Sequence, residues 1–351
     1  MTADSLPPGL CCPVDGTPVA ADSPTWLKCE QGHAFPVVDG IPVMLRADVP
    51  PTMWLLRRSL ERATEYSENP AAVVDPMFLD TVGISPAEVE LARKLASSAR
   101  DADAMDPVVS VVIAATSGHL YKHLIGKLGS YPIPEIRLPP SDGANFLDVG
   151  CNWGRWCIAA ARKGYRAVGI DPSLGAVLAA KRLAARLGLD VKYVCGDARY
   201  LPFAASRFDQ AYSYSVLQHF SKTDAEAAIA QMARVLSPQG RCLVQLAHTV
   251  GLRSGYHQAL RGFRDPEGFD VRYWPAAEMR RVFARYFARA DVSVHCYFGL
   301  GLEPSDAPLM RPAGRAAIRV SEALRRASQV VTPLKYLADS LFVDAEHPLS
   351  H

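Results

Sequence analysis

The segment Asn145-Phe-Leu-Asp-Val-Gly-Cys-Asn-Trp-Gly154 restricts the folds open to this chain more than any other. An apolar approach runs into Asp148 and then into two glycines, which reads as a buried strand ending in a glycine-rich turn, with a helix predicted over 155–163. Gly150 and Gly154 let backbone come close to a ligand where any Cβ would collide, the geometry of a turn that cradles a nucleotide-like cofactor. A dinucleotide fingerprint requires Gly-x-Gly-x-x-Gly. Counted from Gly150, the next two glycine positions hold Asn152 and Arg155, which disfavours NAD and FAD.

Further strands follow at regular distances. Residues 167–170 are short and apolar and end in Asp171, whose carboxylate can accept from both hydroxyls of a ribose. Residues 191–195 end in Gly196-Asp197-Ala198, where a carboxylate can accept from an adenine amino group while a backbone N–H donates to the ring. A fourth strand covers 208–213, a helix 226–236, a turn Ser237-Pro-Gln-Gly240, and a fifth strand 241–246. The alternation predicts a parallel, doubly wound sheet with its ligand at the carboxyl ends of the strands.

In order and spacing these elements, over residues 145–248, resemble a class I S-adenosylmethionine-dependent methyltransferase of the small-molecule type. The resemblance implies a seven-stranded Rossmann-like α/β sheet with S-adenosyl-L-methionine as cofactor. It places Gly150, Cys151, Asn152 and Gly154 around the methionine part, Asp171 on the ribose, and Asp197 with Ala198 on the adenine. Asp148 and Ser213 complete the expected cofactor set.

The chain is 351 residues long and exceeds one such domain by about a hundred residues at each end, which predicts added elements. Net charge is +2, so no global field for a polyanion is implied. The N-terminus lacks the basic start and apolar core of a signal peptide, and the longest apolar run, 108–115, is too short to span a bilayer. A cytoplasmic protein with reduced thiols is expected.

Of eight cysteines, Cys151, Cys157, Cys195 and Cys242 fall in or beside predicted elements and read as small apolar residues. Cys11, Cys12 and Cys29 lie instead in two short turns, 10–16 and 27–33, each with potential metal ligands. This arrangement, with the continuation Phe35-Pro-Val-Val-Asp-Gly-Ile-Pro-Val43, resembles the small zinc-ribbon domain of tRNA-methyltransferase activator proteins. Cys12, Cys29 and His33 are the implied ligands. The fourth is Asp15, where the ribbon pattern has a cysteine, or else Cys11. Such a site would be structural, because methyl transfer from a sulfonium needs no Lewis acid. The alternative is a ribbon that folds without metal.

These readings divide the chain into a ribbon-like domain over 1–48, a helical linker or cap over 49–140, and a methyltransferase domain over 141–351 with an inserted helix near 307–332. Helices are expected over 53–66, 86–100 and 107–128, and 251–273 as a loop. Helix 275–287, strand 290–298, arginine-rich helix 311–331 and a seventh strand over 338–344 complete the chain. The helix at 311–331 reads as an ordinary amphipathic surface helix in preference to a membrane-surface contact. His119, Tyr121 and His123, just before the first strand, are candidates to touch cofactor or acceptor.

His219, beyond the fourth strand, is the expected base if the acceptor carries a proton, with His248, Tyr256, His257 and Tyr273 as weaker candidates. The fourth strand ends Ser213-Tyr-Ser-Val216, without the Pro-Pro-aromatic clamp used on planar amino groups, and no cysteine has the context of a cytosine C5 methyltransferase. A small-molecule acceptor at oxygen or nitrogen is therefore the leading expectation. An rRNA or tRNA methyltransferase and a cofactor-binding scaffold without transfer are the alternatives.

Overall fold

A computed structural model describes residues 6–73, 75–98, 105–118 and 120–349. The chain forms two compact units, Met1–Ala204 and Ala205–His351.

The first unit begins with a four-stranded antiparallel sheet, β1 (Val19–Ser23), β2 (Trp26–Cys29), β3 (Ala34–Val38) and β4 (Ile41–Pro42), in that order. Asp39 and Gly40, both at positive φ (48° and 73°), join β3 to β4, the two-residue turn whose twist suits a hairpin. Helices α1 (Trp54–Glu68), α2 (Pro86–Ser97) and α3 (Pro107–Thr116) follow. Then come β5 (Asn145–Val149), α4 (Arg155–Ala161), β6 (Arg166–Asp171), α5 (Leu174–Arg186) and β7 (Lys192–Cys195). β5, β6 and β7 are parallel, and β5 and β6 are almost wholly buried, as a strand covered by helices on both faces must be. The free edge of β7 is closed by the residues after β4: Val43 bridges Cys195, and the Met44 N–H donates to the Cys195 carbonyl at 2.7 Å.

The second unit contains β8 (Phe208–Tyr214), α6 (Lys222–Val235), β9 (Leu236–Ala247), α7 (Leu252–Leu260), α8 (Ala276–Phe283), β10 (Phe287–Cys296), α9 (Pro312–Ala327) and β11 (Ser340–Pro348). β8 and β9 are parallel, whereas β11 runs antiparallel between β9 and β10. The larger sheet reads β10-β11-β9-β8-β5-β6-β7, the seven-stranded Rossmann-like arrangement. It is mixed and not wholly parallel as expected, because β11 is reversed.

Several boundaries differ from expectation for local reasons. The helix expected over 107–128 stops at Thr116, where Ser117-Gly118 follows with Gly118 at φ 60°. The turn Ser237–Gly240 is taken into the start of β9, where the register against β8 jumps from Phe208↔Leu236 to Gln210↔Arg241. The expected loop over 251–273 contains α7, and β10 starts three residues before the strand expected from Ala290. Of the helix expected over 86–100, residues 99 and 100 lie outside the described residues. Among the described residues no helix is long and apolar enough to cross a membrane.

Candidate functional site

In the first unit, β5 delivers Asp148 to the sheet interior and the chain then turns back on itself. Gly150, Asn152 and Gly154 all have positive φ (81°, 45° and 79°), a run that only glycine, with asparagine next, adopts at low cost. The Gly150 and Cys151 N–H groups donate to the Ile170 carbonyl at 2.8 and 3.0 Å, which ties the loop to the end of β6. Gly154 opens α4. A Cβ there would lie 2.6 Å from Tyr193 Oη and 3.0 Å from Ala180 Cβ, so the loop is drawn down onto β7 and α5 as only a glycine permits.

Two acidic residues sit in this turn. Asp171, at the end of β6, accepts from the Asn152 N–H and the Ser173 N–H, both at 2.9 Å, so it anchors the glycine loop and the start of α5 together. Burial raises its pKa to about 6. Asp148 is fully buried (0 % exposed), and burial pushes it up to about 7. Its Oδ2 accepts from the Cys157 thiol at 3.3 Å, while its Oδ1 has no hydrogen-bond partner. A buried carboxylate oxygen without a donor is costly, so a cationic or N–H group that reached it would be stabilised. Tyr193 Oη, under the loop, is likewise buried without a partner.

Asp197 follows β7 and is nearly buried (4 %). Both of its oxygens accept from the Arg199 guanidinium, and Oδ1 also accepts from the Arg199 N–H. Arg199 in turn donates to the Pro50 carbonyl at 2.8 Å. Ala198 is buried and starts a single 3-10 turn. An adenine amino group at Asp197 would thus share the carboxylate with Arg199.

The segment between the N-terminal sheet and β5 folds onto this loop. Thr116 Oγ1, at the end of α3, donates to Asn152 Oδ1 at 3.3 Å. Ser173 Oγ donates to the Thr81 carbonyl, Thr81 Oγ1 accepts from the Gly175 N–H, and Ser59 Oγ accepts from the Leu174 N–H. The first turn of α5, next to Asp171, is therefore held from outside. Sequence reasoning missed Ser59, Thr81, Thr116 and Tyr193, since none stands in a motif and each acts at long separation. Of the candidates before β5, Tyr121 is fully buried, His123 is exposed, and His119 lies outside the described residues. Cys151, Cys157, Cys195 and Cys242 are buried free thiols, and burial pushes Cys151 up to about 11.

In the N-terminal sheet, one potential ligand atom from each of Cys12, Asp15, Cys29 and His33 lies within 4.8 Å of the others. His33 Nδ1 is 3.5 Å from Cys12 Sγ, 3.4 Å from Cys29 Sγ and 2.8 Å from Asp15 Oδ2. Thr17 donates to Asp15 Oδ1 from both its N–H and its hydroxyl, so Oδ2 is turned toward the cysteines; these Thr17 bonds hold the Asp15 carboxyl well below its ordinary range. Burial pushes Cys12 up to about 11. Cys11 stands apart: it is buried and pairs with Pro18 and the Pro202 carbonyl.

In the second unit, Ser213 is fully buried within β8. His219 stacks on Phe269, with ring centroids 3.9 Å apart and planes 1° apart, and its Nδ1–H donates to the Phe269 carbonyl at 2.8 Å. That assignment leaves the lone pair on Nε2, and burial lowers the pKa so that the ring is neutral. His248 is buried with Nδ1 on the Ala338 carbonyl at 2.9 Å, Tyr256 is exposed, and His257 and Tyr273 are partly exposed.

Known proteins share stretches with this chain. Residues 146–240 match the family model described as a methyltransferase domain. The ubiquinone biosynthesis O-methyltransferase of Brucella anthropi is 32 % identical over 105 residues, 30 % of this chain and 42 % of the relative. That of Brucella ovis is 36 % identical over 85 residues, 24 % of this chain and 34 % of the relative. The chain thus spans less than half the length of these curated relatives. Among solved structures, phosphoethanolamine N-methyltransferase 2 of Haemonchus contortus in complex with S-adenosyl-L-methionine superposes with a TM-score of 0.40 at 18 % identity, covering 60 % of this chain and 50 % of the other. The glycine turn and the elements around it lie in the stretch that matches a methyltransferase domain, residues 146–240.

Proposed function

We propose that this chain transfers the methyl group of S-adenosyl-L-methionine to an oxygen or nitrogen atom of a small molecule. The observation that carries the reading is the glycine turn with a buried, partnerless carboxylate oxygen, Asp148 Oδ1, inside a methyltransferase domain. The cofactor brings an ammonium group that would satisfy that oxygen, and its sulfonium supplies an already activated methyl electrophile. Gly150, Cys151, Asn152 and Gly154 would receive its amino-acid part. Asp171, whose second lone pairs remain beside its two backbone donors, would take the ribose hydroxyls. Ala198 with Asp197 would take the adenine. The protein's main task is then alignment, which alone contributes several orders of magnitude. The names of the curated relatives favour oxygen as the accepting atom.

We further read Cys12, Asp15, Cys29 and His33 as a structural zinc site of a ribbon-like domain over residues 1–48. Tetrahedral zinc with bonds of about 2.0–2.3 Å sets its ligand atoms roughly 3.3–3.8 Å apart, the spacing found between His33 Nδ1 and both sulfurs. Residues 49–140 act as a cap and 141–351 as the catalytic domain in this reading. His219, pinned on Phe269, offers Nε2 as the candidate base, the alternative being a packing role.

The test is calorimetric titration of the purified chain with S-adenosylhomocysteine, followed by incubation with methyl-labelled cofactor and a small-metabolite extract. Binding with label in the metabolite fraction is expected. A chain that binds but labels nothing would instead be a scaffold, and one that does not bind would end the reading.

A further inference from the structure

Helix α7, in the second unit, turns its apolar face to water. An ordinary surface helix buries its apolar stripe and exposes the polar one. In α7, Leu252, Tyr256 and Leu260 recur every four residues and Phe263 follows three residues on, so the sequence puts all four on one face. That face is outward: Leu252 is 75 % exposed, Tyr256 54 %, Leu260 67 % and Phe263 73 %. The opposite face is polar and turned inward. Ser254, fully buried, donates its N–H to Asp339 Oδ1 at 2.7 Å and its hydroxyl to the Asp339 carbonyl at 3.2 Å. Gln258 Nε2 donates to the Thr249 carbonyl at 2.9 Å. At Gly251 a Cβ would lie 2.3 Å from Asp339 Cα, so the first turn of α7 sits directly on the residue before β11.

The inversion is therefore fixed by hydrogen bonds and close packing, and it is extended by backbone strain. Phe263, directly after Gly262 (φ 62°), has φ 55°, a conformation costly for a bulky aromatic. Its N–H donates to the Gln258 carbonyl at 2.9 Å, which closes the helix with the ring pointing away from the core. Leu252, Arg253 and Tyr256 of α7 line one open depression with Phe298, after β10, and Ala317 of α9. The Phe298 N–H is held by Asp339 Oδ2 at 2.6 Å, so the same carboxylate anchors both sides of that depression. Val320, one turn along α9 from Ala317, is exposed as well.

The charge beside the stripe has one sign. Residues 304–337 hold six basic and two acidic residues, although the whole chain carries only +2. Of the two acidic residues, Asp306 is buried and Glu322 is engaged by Arg325 and Arg326. Arg311, Arg315 and Arg319, spaced four apart along α9, are exposed and make no ion pair among the described residues. α9 itself buries Ile318, as the expected surface helix does, and the apolar half of the surface comes from α7.

We propose that α7, with the arginines of α9, is a contact for the surface of an anionic phospholipid bilayer, independent of the methyl-transfer reading. Leu252, Leu260 and Phe263 enter the boundary between headgroups and acyl chains, Tyr256 stays at headgroup level with Arg253 over its ring, and the α9 arginines meet the lipid phosphates. The helix lies in the plane of the surface and does not cross it. Side chains that stand out singly from a fixed helix suit a fluid boundary, which closes around each of them. A second copy of the chain is a poorer occupant, because a two-fold contact would set Arg253 of one chain in the same interface as Arg253 of the other.

The test is co-sedimentation of the full-length protein with vesicles of phosphatidylcholine alone and of phosphatidylcholine mixed equally with phosphatidylglycerol. Wild type should bind the mixed vesicles and leave the neutral ones largely unbound. Leu260→Ser combined with Phe263→Ser should weaken that binding by about tenfold or more, the scale of two apolar side chains left in water. Arg311→Glu, Arg315→Glu and Arg319→Glu together should weaken it by about tenfold or more as well. Thermal melts of both variants should match wild type, since every substituted side chain is exposed, and added salt should weaken binding without abolishing it. A wild type that ignores the mixed vesicles, or either variant binding them as tightly as wild type, would overturn the proposal. So would a dimer by analytical ultracentrifugation that Leu260→Ser with Phe263→Ser disperses, which would give the stripe to a second copy.

Discussion

Asp148 and Asp171 hold the free energy of the cofactor turn in two different ways. Asp171 is half-buried and receives two backbone N–H groups, whereas the fully buried Asp148 receives none on Oδ1. Burial raises Asp148 to about 7, above the ordinary carboxylate value near 4. Between these two values the unfolded chain has released the proton and the folded chain still holds it. Stability contributed by the protonated form is thus fully present below about pH 4 and is lost as pH rises to about 7, with no further loss above. Asp148→Asn removes that dependence, so in thermal melts without cofactor the variant should gain on wild type across this window, by on the order of a few kcal/mol. A stability difference that does not change with pH would show that Asp148 does not titrate there. The same variant should bind the cofactor more weakly, since the amide answers an ammonium poorly. Asp171→Ala should weaken S-adenosylhomocysteine binding by roughly 1.5–3 kcal/mol, the scale of bonds to a charged group, and should loosen the glycine loop that Asp171 anchors; undiminished calorimetric affinity would remove Asp171 from the site. Residues of this kind were legible because glycine spacing and acidic strand ends are local signals. Ser59 and Thr81 were not, because a serine inside a helix and a threonine in a short turn carry no spacing that foretells their meeting with the start of α5, 115 residues away for Ser59.

At the scale of elements, the short strands of the first unit were read correctly as strands because each is a compact apolar run bounded by turn residues. α7 is not legible because Gly251, Gly255 and Arg253 read as loop, although Leu252, Tyr256 and Leu260 lie one helical turn apart. The pairing of Val43 and Met44 with Cys195 was not legible either, since edge closure by a distant hairpin leaves no local mark. That pairing shapes the expectation for the ribbon. If Cys12, Asp15, Cys29 and His33 hold zinc, elemental analysis should find about one metal per chain, and a chelator should raise amide exchange in β1 to β3. The strand pairing at Cys195 and the Pro50 carbonyl on Arg199 are independent of the metal, so affinity for S-adenosylhomocysteine should stay nearly intact. Metal-free protein with equally protected β1 to β3 would show a ribbon that folds without zinc. Loss of cofactor affinity on chelation would show that the metal supports Asp197 through this path.

Over the whole molecule, 38 basic residues against 36 acidic leave a net charge of +2, and this balance bears on which class of acceptor the chain serves. An RNA substrate would be held mainly by Lys and Arg neutralising phosphates, and its affinity would fall with salt at a slope of about −0.7 per contact on single strands. Many of the arginines are already engaged within the protein: Arg58 and Arg62 on Asp80, Arg182 on Asp106, Arg199 on Asp197, Arg241 on Asp344 and Arg325 on Glu322. Those side chains would have to give up a carboxylate to take a phosphate, which lowers the electrostatic gain further. Methyl transfer should therefore change little with ionic strength at a fixed acceptor concentration. The check is incubation with methyl-labelled cofactor of total RNA and, separately, of a small-metabolite extract, each across a salt series. Label is expected in the metabolite fraction, with nearly constant rate. Label entering RNA with a steep salt slope, and abolished by Asp171→Ala, would replace the small-molecule reading with RNA methylation.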